Sequence, residues 1–227
     1  MQRSRIELAP AYVLHQTPWR DTSRIYEVLT RDHGRLSLFA RGVRAPKSRF
    51  AGLMQPFAPV LLSFSLRGEA GTLAGVEPVD SGGLPALAPR DVLSAYYLSE
   101  LVMKLTIRND PQADIYDHYH QALLGLRAGG GASRPLRLFE KRLLESLGYG
   151  LDLRVGGVAD GDGVSLGYHY QASPATLRSL ADERLETETE LEEARLLLKK
   201  ALTACLEGRP LKTRRVAEQM RELRRTE

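Results

Sequence analysis

Residues 10–80 read as short strands between turn signals, and from about residue 91 apolar positions recur every third or fourth residue. Alternation of apolar and polar positions is clearest in Leu36, Leu38 and Ala40 against Arg35, Ser37 and Arg41, as a half-buried strand requires. Ile25, Val28 and Leu29 sit in an arm before it. Asp32-His33-Gly34 joins the two arms as a hairpin turn, because Gly34 takes positive φ at no steric cost. Ala11–Gln16, ended by Thr17-Pro18, reads as a first strand. Phe57–Leu66 reads as a longer apolar strand, followed by a turn over 67–71. Thr72–Val79 is the last strand, closed by Asp80-Ser-Gly-Gly83. Five short strands with turn signals between them suit a small barrel, which leaves no open edge. A five-stranded OB-type barrel leads; a small open sheet or an SH3-like barrel produces much the same pattern.

Pro85 and Pro89 mark a linker, and Asp91 is placed to cap a helix. Val92, Leu93, Tyr96, Tyr97, Leu101, Met103 and Leu105 predict a wide apolar face on that helix. A second helix covers Asp114–Leu126, with Ile115, Tyr119, Ala122, Leu123 and Leu126 inward. A third runs from Pro135 to Leu147, with Leu136, Phe139, Leu143, Leu144 and Leu147 on one face and Gly148 as its stop. Helical periodicity is lost over 151–172, a glycine-rich stretch with too little apolar surface to fold alone. Ser173-Pro174 restarts a short helix. Glu190–Leu206 is amphipathic through Leu191, Ala194, Leu197, Leu198, Ala201, Leu202 and Cys205. The last helix, Thr213–Arg224, carries Val216, Met220 and Leu223 on one face and cations on the other.

The expected class is therefore α+β: a barrel domain over 1–82, a helical domain over 83–150 and 173–227, and an irregular insert at 151–172. Apolar residues make up 43% of the 227, enough for a sizeable core. No apolar run reaches the roughly 20 residues that cross a bilayer, and no leader is evident, so a cytoplasmic location is expected. Cys205 is the one cysteine, which leaves no disulfide and no cysteine-held zinc; it reads as a small core residue.

Charge adds direction. The formal net charge is only +4, but residues 1–50 carry ten Arg and Lys against four acids. The stretch from Arg209 carries seven against three, while acids concentrate in Asp182–Glu193. Arg41, Arg44, Lys47 and Arg49 follow the hairpin with no acid among them. A loop of like charges is most simply explained by a polyanionic partner, and Arg24, Arg35 and Arg41 on the hairpin can line one groove with it. The other reading is a solvated loop. Trp19 and Tyr26 are open to two readings, base-stacking platforms or packing. Lys212, Arg214 and Arg215 form a second basic cluster, facing DNA, an acidic peptide or solvent. On the third helix the apolar stripe stands beside Arg134, Arg137, Lys141 and Arg142. That suits an acidic peptide with an apolar end, although a core stripe beside a solvated face reads the same. His118 and His120 point apart on a helix and do not share a metal. Asp160-Gly-Asp-Gly163 lacks the rest of a calcium loop. Phosphate-loop and triad motifs are absent, so neither a catalytic centre nor a cofactor is expected.

AYVLHQTPWRDTSRIYEVLT, GRLSLFARGVR, LMQPFAPVLLSF, YYLSELVMKL, LRLFEKRLLESLGYG and GRPLKTR, in that order, closely resemble the bacterial recombination mediator family RecO. The resemblance covers about residues 8–216 and is weakest over 152–190. It implies an OB-fold, a helical domain and a zinc-ribbon-like insert. It also implies a cytoplasmic, nucleoid-associated protein that binds single- and double-stranded DNA and anneals strands. With RecR, such a protein acts on DNA coated by single-stranded-DNA-binding protein (SSB) so that RecA is loaded; the part of RecF is left open. In that family the acidic SSB tail docks on the helical domain, which raises Arg137, Phe139, Lys141, Arg142, Leu143 and Tyr149 as its site, Arg137 first. Some members hold zinc with four cysteines in the insert; here it has none, so no metal is expected. Two functions stay open: a non-enzymatic DNA-binding mediator, or a scaffold for SSB and RecR with incidental DNA contact.

Overall fold

The structure, a computed structural model, describes residues 4–45, 48, 50, 52–68, 70–79, 83, 85–151 and 172–225. They form two compact units, one of Met1–Pro85 with Thr106–Asp117 and one of Ala86–Leu105 with His118–Glu227. The expected insert lies outside the described residues except for Leu151 and Ala172.

In the first unit, β1 (Ser4–Trp19), β2 (Ser23–Thr30), β3 (Gly34–Ala40), β4 (Pro59–Arg67) and β5 (Ala70–Pro78) close into a barrel. The order is β1-β2-β3-β5-β4, with β4 returning to β1. The pairing of β3 with β5 is parallel and the others are antiparallel. This is the five-stranded OB-type barrel that the succession of short strands and turn signals suggested. Its interior is filled by inward positions of every strand, among them Val13, Tyr26, Val28, Leu38, Leu62, Phe64 and Leu73.

The first strand is much longer than Ala11–Gln16. It serves two partners: Ser4–Tyr12 pairs with β4 and Ala11–Trp19 with β2, with irregularities at Ile6/Ala9 and Val13/His15. Pro18 does not end it, because that residue lies opposite Arg24 near the hairpin end. β4 begins two residues later than expected, since Phe57 sits at φ +66, and β5 begins two residues earlier, at Ala70.

Thr106–Asp117 packs on the barrel. Beyond Ser37, β5 no longer pairs with β3, and there Arg35 forms a parallel bridge to Arg108. The Asn109 amide donates to the Arg35 carbonyl at 2.9 Å. The Tyr12 and Tyr116 rings lie 5.5 Å apart, and the Arg31 guanidinium donates twice to Asp117.

The second unit is helical. Its helices are α1 (Val92–Leu105), the part of α2 (Ala113–Arg127) from His118 on, α3 (Ser133–Ser146), α4 (Pro174–Ala181), α5 (Glu188–Cys205) and α6 (Lys212–Arg225). Leu98, Leu101, Tyr119, Leu123, Phe139, Leu143, Leu144, Leu198 and Leu202 are among its buried side chains. Ser173 caps α4 as expected, and a Thr187–Glu190 capping box starts α5. Gly148 (φ +79) ends α3, with Tyr149 N–H on the Leu144 carbonyl.

The α1 face differs from its periodicity. Tyr96 is exposed, whereas Ser99 and Glu100 are buried. Each of these polar groups has partners. Ser99 Oγ lies 2.7 Å from the Tyr119 hydroxyl. Glu100 accepts from the Lys212 and Thr213 amides and the Thr213 hydroxyl, and so caps the start of α6. Burial pushes the Glu100 carboxyl up, but the donors from Thr213 and Lys212 together outweigh it, and the net shift is down.

Gly34 tests the clamp on the barrel. It has φ +67, and a Cβ there would stand 2.0 Å from the Asp110 carbonyl oxygen. Gly34→Ala is expected to lower the unfolding free energy from urea denaturation by more than the roughly 1–2 kcal/mol of a left-handed conformation alone. Gly42→Ala, at φ +63 with nothing within 4 Å, should cost only that conformational part. Equal losses in equilibrium unfolding would show that the clamp adds nothing.

Candidate nucleic-acid interface and peptide pocket

The barrel cations fall into two groups. Arg35 is engaged: its side chain is 11% exposed and donates to Glu27 at 2.9 Å, to the Thr106 hydroxyl at 3.1 Å and to the Thr106 carbonyl at 2.8 Å. Glu27 also receives Arg108, so one carboxylate holds two guanidiniums. Arg24 points to the inner side of β2, with Nη1 2.5 Å from the Gln16 amide oxygen. Arg41 and Arg44 are exposed. The Arg41 guanidinium lies 5.8 Å from the Phe39 ring centroid, and the Arg44 amide anchors the loop on the Thr22 carbonyl at 2.9 Å. Lys47 and Arg49 lie outside the described residues. Tyr26 is a core side chain, 1% exposed; burial, chiefly, raises its phenol, with Arg24 opposing. Trp19 is 46% exposed.

In the helical unit the third-helix residues do not form one site. Phe139 and Leu143 are core side chains. Arg134, Lys141 and Arg142 all converge on Glu183: Arg134 on its carbonyl, Lys141 and Arg142 on its carboxylate. Glu183 follows α4 at φ +58, where glycine is the usual residue, and its side chain is drawn to α3. The Arg142 hydrogen bond, above all, and Lys141 hold the Glu183 carboxyl down at about 2, against the pull of burial. A groove of about 400 Å³ between α2 and α3 is lined by Ala122, Gly125, Pro135, Leu138 and Phe139. Its edge cations, Arg134 and Arg142, are the ones bound to Glu183. Tyr149 is half-buried beyond the α3 end.

Arg137 looks elsewhere. It is buried and forms a two-point pair with Glu140, Nε and Nη2 each 2.8 Å from a carboxylate oxygen. The Tyr97 hydroxyl donates to the same carboxylate at 2.6 Å, and Arg214 donates to Tyr97 at 3.2 Å. Burial, foremost, raises the Tyr97 phenol and keeps it a donor. These groups floor a cavity of about 250 Å³ formed by α1, α3, α5 and α6. Leu93, Leu136 and Ala217 supply apolar wall. Arg90, Arg195, Lys199, Arg214 and Arg221 stand around it; Arg195 donates twice to Glu192 and Arg90 lies 3.6 Å from Asp91, which leaves Lys199, Arg214 and Arg221 against Glu218 and the already paired Glu140. Of the second basic cluster, Arg214 belongs to this cavity, while Lys212 and Arg215 are exposed.

Sequence reasoning missed Arg195, Lys199 and Arg221. Their signal was helical spacing, Arg195 with Lys199 at i, i+4 and Arg214 with Arg221 two turns apart, but it is spread over separate helices.

Residues 3–82 match the family described as Recombination protein O N terminal, and residues 88–162 match Recombination protein O C terminal. A DNA repair protein RecO of Azoarcus sp. (strain BH72) is 37% identical over 97% of this chain and 99% of that protein. The DNA repair protein RecO of Nitrosococcus oceani is 36% identical over 96% of both. The chain belongs to the RecO family. Membership carries that family's role, DNA repair and recombination. Two of the RecO-like stretches, YYLSELVMKL and GRPLKTR, meet where Glu100 caps α6, and that cap sets α6 against α1 at the cavity. Among the described residues no helix is long and apolar enough to cross a membrane.

The Glu183 junction is expected to be pH-dependent. Its folded value lies below the ordinary carboxylate range, so its stabilisation is present at neutral pH and is lost as pH falls from about 4.5 towards 2. Glu183→Gln should cost about 1 kcal/mol at pH 7. Urea unfolding at pH 7 and pH 3 should show that difference narrowing at the lower pH; a constant gap would mean the carboxylate charge is not what joins α4 to α3.

Proposed function

We propose that this protein is a non-enzymatic recombination mediator. It binds single- and double-stranded DNA through the barrel, anneals strands, and with RecR acts on SSB-coated single strands so that RecA is loaded. The observation that carries the DNA-binding part is the sorting of the barrel cations. Arg35 is consumed by Glu27, whereas Arg41 and Arg44 stand in solvent on a loop continuing to Lys47 and Arg49. Exposed cations of this kind neutralise phosphates and release counterions; they supply affinity and no base sequence preference.

The acidic SSB tail is proposed to enter the cavity of Arg137, Lys199 and Arg221 rather than the α2–α3 groove. Both have apolar wall, so charge decides. Both of the groove's cations bind Glu183, while the cavity keeps Lys199 and Arg221 beside its paired Arg195 and Arg90. Arg137 would act from below by fixing Glu140 and the floor.

Full-length chain should bind labelled single-stranded DNA with steep salt dependence. Arg41→Glu with Arg44→Glu should weaken it at least tenfold and flatten the slope of log K on log salt by about 1.4, roughly 0.7 for each lost phosphate contact on a single strand. Unchanged affinity and slope in a folded variant would remove the loop from the interface. Wild-type failure to bind bare oligonucleotides near physiological salt would favour the scaffold reading.

For the tail, Lys199→Glu with Arg221→Glu should weaken an SSB-tail peptide in calorimetry and spare DNA binding. Normal peptide affinity would move the tail site away from the cavity. Arg137 is the poorer probe, since stripping it from Glu140 leaves a buried charge and costs roughly 3–5 kcal/mol of stability.

A further inference from the structure

The outer face of β1, β2 and β3 is divided. Ladder register puts Tyr12, Leu29 and Arg35 in one row, His15, Glu27 and Ser37 in the next, then Thr17, Ile25 and Phe39, with Trp19 and Ser23 at the hairpin end. Thr106–Asp117 covers the first end: Tyr116 lies on Tyr12, Thr106 binds Arg35 and Arg108 binds Glu27. The other end is left in water. There Trp19 is 46% exposed, Ile25 and Phe39 are half-buried, and Arg41 is exposed with its guanidinium over Phe39. The Arg44 amide bond to Thr22 ties the basic loop to the β1–β2 turn beside Trp19. Gln16, Arg24 and Tyr26 lie on the inner side of the ladder at the same level, with Tyr26 in the barrel core, so packing of that core does not explain why a tryptophan stands outside.

We propose that Trp19, with Phe39 and Arg41 alongside, is a stacking platform for the unpaired bases of single-stranded DNA. It gives the barrel a preference for single strands over duplex. This rests on the reading of the barrel as a DNA-binding unit and adds what the cations lack. Phosphate contacts recognise both forms of DNA, whereas an aromatic face rewards only a base that is free to leave its own stack. In a duplex the bases are already stacked and paired, so Trp19 has nothing to gain. The β2–β3 surface and the β1–β2 loop are also where OB-type barrels take up oligonucleotides.

Trp19 is the chain's one tryptophan, so its fluorescence reports on this position alone. The full chain is titrated with a thymidine oligonucleotide and with a hairpin duplex, both carrying a distant label for anisotropy. Wild-type fluorescence should be strongly quenched by the single strand and little changed by the duplex. Trp19→Ala should weaken single-strand binding roughly tenfold or more, as loss of one stacked base implies. It should leave duplex affinity and the salt slope in place, and Trp19→Phe should recover most of the loss. Unquenched tryptophan at saturating single strand, or equal weakening of both forms in Trp19→Ala, overturns the platform while leaving DNA binding intact. A wild-type chain that binds neither form overturns the DNA-binding reading, and the platform with it.

Discussion

A guanidinium or ammonium withdrawn from water needs acceptors, and a carboxylate serves best, because an unpaired buried charge costs more than a fold of this size can spare. Three glutamates meet that demand. Glu27 holds Arg35 and Arg108 and thereby fastens Thr106–Asp117 to the barrel. Glu140 holds Arg137 and orders Tyr97 and Arg214. Glu183 holds Lys141 and Arg142 and joins α4 to α3. A basic chain is thus partly neutralised from within, and what its exterior offers an anion is the remainder.

In the first unit the remainder includes Arg41 and Arg44, beside an aromatic patch that Thr106–Asp117 does not reach. In the second it is the rim of the cavity between α1, α3, α5 and α6. On the proposed reading the two do different work. The barrel supplies affinity for DNA whatever its base sequence, and the cavity supplies the choice of SSB-coated strands. Each unit carries its own cations and apolar surface, so a substitution in one is not expected to disable the other's binding.

Local order was legible in the chain. The alternation of Leu36, Leu38 and Ala40, the turn at Gly34, the Ser173-Pro174 start and the Gly148 stop are set by near neighbours and were read correctly. Features that depend on distant partners were not. The first half of β1 lacks a clean alternation and is a strand only because β4, more than fifty residues on, pairs with it. Glu100 lies outside the apolar face read for α1, and it is buried because its partners are amides 112 and 113 residues away. Lys141 and Arg142 looked like a free rim until Glu183, outside their helix, was placed against them. Of the two aromatics with two readings, Tyr26 proved to be core and Trp19 exposed, a distinction set by which side of the ladder each occupies.

Residue-resolved arginine modification, followed by mass spectrometry with and without saturating single-stranded DNA, tests this sorting of cations most directly. Arg35 and Arg137 should stay unreactive in both states, whereas Arg41 and Arg44 should react in the free chain and be protected by DNA. Reactive Arg35 or Arg137 in the folded chain, or Arg41 and Arg44 equally reactive with DNA bound, would contradict it.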